Sequence, residues 1–129
     1  MRKAVTMAIA AATAVLMLAG CGDAPAVADA LPPDFPDDVF LPDDYRIDST
    51  IAGADFTVVT LLAPGEVDVL ARTANTRMES AGWIRQMVAG GADSRFYAFR
   101  NERSVASLAF DRHAGGGVLY TVQLSKAAR

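Results

Sequence analysis

Residues 66–83 read EVDVLARTANTRMESAGW, and this stretch decides the fold. Its apolar residues recur at intervals of three and four, the spacing of one face of an α-helix. They are Val67, Leu70, Ala71, Ala74, Met78 and Ala81. Pro64 and Glu66 suit a helix start, and Gly82 suits the position just past its end. The pattern predicts one amphipathic helix, with Trp83 opening a strand behind it.

The segments on both sides of this helix have the alternating apolar pattern of β-strands. Two strands are predicted before the helix, at residues 45–50 and 56–62, joined by a hairpin turn. Four strands are predicted after it, at residues 83–88, 95–100, 104–111 and 118–124. We therefore expect an α+β fold of order ββαββββ, a two-layer domain in which a twisted antiparallel sheet carries one helix packed on one face.

The alternation also predicts which side chains form the core. The predicted inward pairs and series are Phe96 with Ala98, Leu108 with Phe110, and Val118 with Tyr120, Val122 and Leu124. Trp83 is expected to be the largest single contributor. Tyr97 and Phe99 are then left to offer aromatic rings on the opposite face, although Phe99 fits a core position equally well.

The first twenty residues have the composition of an export signal. Arg2 and Lys3 precede a charge-free apolar run at residues 4–18. This run is shorter than the about 20 residues that a membrane-spanning helix needs. We expect residues 1–20 to be a cleaved lipoprotein signal peptide, so that no transmembrane helix remains in the mature protein.

The apolar run ends in Leu18-Ala19-Gly20-Cys21, which resembles the lipobox of bacterial lipoproteins. The resemblance implies cleavage before Cys21 and attachment of diacylglycerol to its thiol. Cys21 is the only cysteine, which excludes an intramolecular disulfide, and its small and polar neighbours offer no core to bury it. We therefore expect Cys21 to be the lipid attachment site, and two or more acyl chains would hold the protein stably on a bilayer.

The remaining chain divides by composition. Residues 21–34 are small, polar and interrupted by proline, which predicts a flexible tether. Residues 35–44 alternate prolines and aspartates with large apolar residues, which predicts an extended strap lying on the domain. Residues 45–125 then form the single α+β domain.

Gly22, rather than an aspartate, follows the cysteine, and by the sorting rule of enteric lipoproteins this resemblance implies the periplasmic face of the outer membrane.

The order of these features is similar to that of small bacterial lipoproteins of an uncharacterised family. The residues that carry this similarity are Phe35-Pro36-Asp37, Leu41-Pro42 and Gly82-Trp83. More distantly, a helix held against an antiparallel sheet resembles the repeated helix-grip domain of the lipoprotein that assists outer-membrane barrel assembly. That second similarity concerns the fold and implies no activity.

No residue pattern predicts a catalytic, cofactor or metal site. His113 is the only histidine and lies in a predicted hairpin turn, and the glycines at 115–117 lead into a strand rather than into a phosphate-binding helix. An acidic cluster invites a calcium site, but prolines stiffen it where a calcium loop needs a glycine bend. Its members are Asp34, Asp37, Asp38, Asp43 and Asp44.

Charge excludes nucleic acid as a partner, because the formal net charge is −3 and the arginines are spread singly. These arginines suit a solvated face, although they also suit anionic headgroups or the acidic strap. They are Arg72, Arg77, Arg85, Arg95, Arg100, Arg103 and Arg112.

The sequence thus predicts a non-catalytic accessory or binding module, held on the bilayer by acylated Cys21, with an envelope protein as partner and no cofactor. We expect the binding surface to be the sheet face opposite the helix, or a groove between helix and sheet. One alternative is a small periplasmic hydrolase-like enzyme with an unrecognised carboxylate site, which buried, perturbed carboxylates would favour. Another is a lipoprotein that serves mainly as an anchor, which a fully polar open face would favour.

Overall fold

The computed structural model describes residues 26–28 and 30–127 of the 129. The predicted signal peptide, Cys21 and the first part of the predicted tether lie outside these residues. No helix within the described part is long and apolar enough to cross a membrane.

The described residues form one helix and a seven-stranded sheet. The strands are β1 (Ala26–Ala28), β2 (Arg46–Ala52), β3 (Phe56–Ala63), β4 (Ile84–Gly90), β5 (Ser94–Arg100), β6 (Ser104–Arg112) and β7 (Val118–Lys126), and helix α1 (Val67–Ser80) lies between β3 and β4. The predicted α+β fold is confirmed: β2 to β7 with α1 follow the order ββαββββ, and the helix packs on one face of an antiparallel sheet.

The strand order in the sheet is β1-β2-β3-β7-β6-β5-β4. The last strand, β7, therefore lies between β3 and β6, and α1 carries the chain from β3 to the far edge at β4. β1 was not expected, because residues 21–34 are predicted to be a tether. Ala26–Ala28 instead pairs with β2, whose outer edge offers backbone groups to a short segment able to extend.

The helix begins and ends where its sequence predicts. Val67, Ala71, Ala74 and Met78 of the predicted stripe are buried, whereas Ala81 caps the helix at the surface. Gly82 follows with a φ of +98°, a left-handed conformation that glycine adopts without steric conflict.

Trp83 closes the end of the helix rather than opening the next strand. Its backbone N–H donates to the carbonyl of Met78 at 3.0 Å, so it is used by the helix, and β4 begins one residue later at Ile84. The indole is 3 % exposed, and its Nε1 donates to the carbonyl of Asp38 at 3.0 Å. The expected burial of Trp83 is confirmed.

The predicted inward pair on β5 is wrong. Tyr97 and Phe99 are buried beneath the helix, and Phe96 and Ala98 lie on the opposite face. Both sets of alternating residues in this strand are apolar, so the alternation alone does not show which set faces the core. Burial of Tyr97 and Phe99 removes more apolar area from water than burial of Phe96 and Ala98 would. Arg95 lies on the same side as Tyr97 and Phe99, and its guanidinium pairs with Asp68 of the helix.

Residues 35–44 cover the part of the sheet that the helix leaves open. Phe40 is 5 % exposed and packs edge-on against Tyr120 of β7, with ring centroids 5.7 Å apart. The Tyr120 hydroxyl donates to the Phe40 carbonyl at 2.9 Å, and the Phe40 N–H points at the sulfur of Met78 at 3.3 Å. Strap, helix and central strand thus meet in one core.

We expect Tyr120→Phe to lower the free energy of unfolding by about 1–3 kcal/mol, because it leaves the buried carbonyl of Phe40 without its donor. Burial raises the pKa of the Tyr120 hydroxyl, so it remains a donor throughout the neutral range. Urea unfolding measures the change. Tyr45→Phe is the control, since Tyr45 is only partly buried and makes no such bond among the described residues; an equal loss in both variants would contradict the assignment.

Candidate functional site

The predicted lipid attachment site lies close in sequence to the first strand. Cys21 itself is outside the described residues, and β1 begins at Ala26. Five residues of extended chain span at most about 17 Å. Lipid attached at Cys21 would therefore hold the β1 edge of the sheet near the bilayer, closer than a tether running to residue 34 would allow.

The sheet has one face that neither the helix nor the strap covers, and we call it the open face. It is formed by the residues that alternate with the buried ones in β2 to β7. Its apolar members are Ile51, Phe56, Val58, Leu62, Ile84, Met87, Ala89, Phe96, Ala98, Val105, Ala109 and Leu119. Its uncharged polar members are Ser49, Thr60, Ser94, Ser107, Thr121, Gln123 and Ser125.

Strand register arranges the open face in rows that run across the sheet. Two neighbouring rows run through the middle of the strands, from β4 to β2, and we call them the central rows. One is Met87, Ala98, Ser107, Gln123, Val58 and Ile51, and the other is Ala89, Phe96, Ala109, Thr121, Thr60 and Ser49. Neither central row contains a charged side chain.

The charged members of the open face stand in the rows outside the central ones. They are Arg46, Arg100 and Asp111, and the Asp111 carboxylate accepts a hydrogen bond from the Ser94 hydroxyl at 2.8 Å. An uncharged centre with a charged rim is the composition found at binding interfaces. The predicted placement of the binding surface opposite the helix thus falls on a face of suitable composition.

β4 is the most exposed part of this face. Ile84 is 63 % exposed and Met87 55 % exposed, and each of the seven residues of the strand is exposed. The helix packs chiefly over β5 and β6, so β4 extends beyond it as an edge strand. Val88 points toward the helix side and is still 50 % exposed.

Tyr97 does not contribute to the open face, contrary to expectation, and Phe99 takes the core position that the sequence left open for it. Both lie in the core, and Phe96 and Phe56 supply the aromatic rings of this face instead. Phe56 stands on β3 and Phe96 on β5, with β7 and β6 between them, so the two rings share one face without being neighbours.

Ion pairs concentrate on the helix side of the molecule. Asp68 accepts from Arg95 at 3.1 Å and from Arg72 at 3.0 Å. The Arg95 hydrogen bond, helped by Arg72 against partial desolvation, holds the pKa of the Asp68 carboxyl below its ordinary value. Arg77 reaches the strap, where its guanidinium lies 5.5 Å from the Phe40 ring and 3.7 Å from the carboxylate of Asp43.

The other arginines of the predicted solvated face are also dispersed. Arg85 donates to the side chain of Asn75 on the helix at 3.1 Å, and Arg112 lies 3.4 Å from Asp93 on the surface. Arg100 and Arg103 line a groove of about 910 Å³ at the end of the sheet. Carboxylates and the indole of Trp83 line the same groove, so it has no single sign of charge.

The residues weighed for metal or acid–base chemistry are not brought together. His113 lies in the β6–β7 turn, where its Nδ1 accepts from the N–H of Gly115 at 3.2 Å. Within residues 26–28 and 30–127, no three His, Cys, Asp or Glu side chains are arranged to hold a metal ion. In the acidic cluster, Asp38 presents its carbonyl to Trp83 and Asp43 its carboxylate to Arg77.

Comparisons with protein families, curated proteins and solved structures find no match to this chain. The similarities to small bacterial lipoproteins and to helix-grip domains therefore stay predictions.

We expect Asp68→Asn to weaken the dependence of stability on acid pH. The folded-state pKa of Asp68 lies below its ordinary value of 3.8, so its contribution is present above that pH and is lost as the pH falls through the folded pKa. The variant should be less stable than wild type at pH 6, and the two should converge toward pH 2. Thermal unfolding across this range measures the effect. Asp44→Asn, an exposed carboxylate outside the ion pairs above, is the control; a constant offset at every pH would contradict the prediction.

Proposed function

We propose that this chain is a lipid-anchored lipoprotein of the bacterial envelope, and that its domain is a non-catalytic binding module whose open face binds a component of the envelope. The observation that carries the proposal is the absence of charge from the two central rows of that face. An envelope protein is one such component, and the bilayer is another.

The composition of the open face is unusual for a surface that only meets water. Solvated faces of antiparallel sheets normally carry polar residues at the outward positions. Here the outward positions of β3 to β6 include Phe56, Val58, Met87, Phe96 and Val105. Apolar side chains at this many outward positions favour a binding surface, and they argue against the alternative of a fully polar face on a domain that serves only as an anchor.

The anchor is supported by the residues of the N-terminal segment. The positive head, the short apolar run and the lipobox ending in Cys21 agree with one another. After cleavage the acylated cysteine would be the attachment to the membrane, on the periplasmic face of the outer membrane by the Gly22 rule. The net charge of −3 disfavours nucleic acid as the bound component.

The environment of Asp68 supports a non-catalytic module. A catalytic acid needs a carboxyl with a raised pKa. Asp68 lies beside Arg95 and Arg72, which hold the pKa of its carboxyl below its ordinary value. That shift suits a structural ion pair that ties β5 to the helix.

The anchor is tested with Cys21→Ser, which removes the thiol that would carry lipid. We expect the wild-type protein from envelope fractions to begin at residue 21 and to carry the mass of its acyl chains. Cys21→Ser should keep residues 1–20 and carry no acyl mass. Intact-protein mass spectrometry makes the measurement, and a wild-type chain without acyl mass would overturn the anchor.

The binding face is tested by photocrosslinking in living cells. A photoreactive amino acid replaces Gln123, which is exposed at the centre of the open face, or Thr76, which is exposed on the helix side. We expect adducts with lipid or protein from position 123 and few from position 76. Equal yields from the two positions would count against the open face as the binding surface.

A further inference from the structure

We propose that the component bound by the open face is the surface of the bilayer that holds the lipid anchor, so that the sheet lies on the headgroups with its helix side directed away. This inference rests on the proposed function, because it takes Cys21 to be acylated. Three observations carry it: the short connection to β1, the distribution of charge between the two sides, and the polar groups within the central rows.

The connection places the sheet within reach of the bilayer. Lipid at Cys21 fixes one end of the chain in the membrane, and the β1 edge follows within at most about 17 Å. The other strands extend from that edge in hydrogen-bonded order to β4. An anchor at one edge of a broad sheet leaves two ways to lie flat, on the open face or on the helix side.

The distribution of charge favours one of these two orientations on an anionic membrane. The helix side carries the acidic strap, together with Asp68, which already holds two arginines. Among the paired positions of the open face, Arg46 and Arg100 stand in the outer rows together with Asp111, whose carboxylate accepts a hydrogen bond from Ser94. Because anionic headgroups attract cations and repel carboxylates, the open face is the side that a phospholipid surface favours.

The polar side chains of the central rows favour a bilayer over a second copy of the chain as the occupant of the open face. Two such faces packed as a β-sandwich would form a dry core, and Ser107, Thr121 and Gln123 would be buried in it. Buried hydroxyl and amide groups are unfavourable without hydrogen-bond partners. At the headgroup level the same groups keep water and phosphate oxygens as partners, while Phe56 and Met87 reach the acyl boundary.

The chain offers a direct test, because the sulfur of acylated Cys21 is blocked and an introduced cysteine is then the only free thiol. We label acylated protein with a nitroxide at Gln123→Cys on the open face or at Thr76→Cys on the helix. Each is reconstituted into vesicles of phosphatidylethanolamine and phosphatidylglycerol. Power saturation then measures access of dissolved oxygen, which concentrates in lipid, and of a water-soluble nickel chelate.

We expect the label at position 123 to gain access to oxygen and to be several-fold less accessible to nickel than the label at position 76. High nickel access at both positions would overturn the proposal and leave the face for an envelope protein. Low access to both reagents at position 123, with dipolar broadening between labels, would overturn it in favour of a second copy. Fluorescence of the buried Trp83 reports whether each variant is folded.

A second pair of variants keeps the result from depending on one position. Ser107→Cys carries the label opposite residue 123 and should behave in the same way. Adding Gln123→Glu, which changes charge with little change of shape, should return nickel access to the label at position 107. The acylated protein should still float with the vesicles, and its acyl mass is measured separately. Loss of acylation would therefore overturn the anchor. An acylated protein with high nickel access on the open face would overturn only this inference.

Discussion

A single helix is too narrow to cover a seven-stranded sheet. Helices are about 10 Å across with their side chains, and strands lie about 4.8 Å apart, so one helix covers little more than two strands. α1 covers β5 and β6, and the rest of the buried face requires another layer. The strap supplies it through Val39 and Phe40, which join the core, and Phe40 packs on Tyr120 of β7. Residues 35–44 form turns and bends at 37–39 and 43–44 rather than the expected extended chain. Prolines suit this segment, since it contributes no backbone donors to a ladder.

The junction after α1 joins these layers. Gly82 turns the chain in a left-handed conformation, Trp83 returns its N–H to the helix, and its indole reaches the strap at Asp38. The same turn starts β4 at the outer edge, beyond the cover of the helix. Exposure of β4 thus follows from the geometry that closes the core. As an edge strand with a neighbour on one side only, β4 exposes Ile84 and Met87 on the open face and Val88 on the helix side.

The sequence alone predicts the elements that depend on local pattern. The helix stripe, the left-handed Gly82 and the six strands from β2 to β7 are local features, and the structure contains all of them. The side that each strand turns to the core is different in kind. In β5 the residues Phe96 to Phe99 are apolar on both faces, so the choice depends on packing against the helix and the neighbouring strands, which no local pattern contains. Pairing of β1 with β2 is likewise a contact between segments distant in sequence.

The candidate surface was predictable in position but not in composition. Its position follows from the fold class, because a two-layer domain leaves one face of its sheet uncovered. Its composition depends on register, which brings Met87, Ala98, Ser107, Gln123 and Val58 into one row from five strands.

Charged side chains are distributed unequally between the two faces of the sheet. The arginines that hold strands and strap to the helix need acidic partners on that side, and Asp68 and Asp43 provide them. The central rows of the open face contain no charged side chain and keep hydroxyl and amide groups. The apolar side chains of such a surface favour binding, whereas its hydroxyl and amide groups disfavour burial without water or other hydrogen-bond partners. A hydrated boundary satisfies both properties, and the membrane that would hold Cys21 provides one within reach of the sheet.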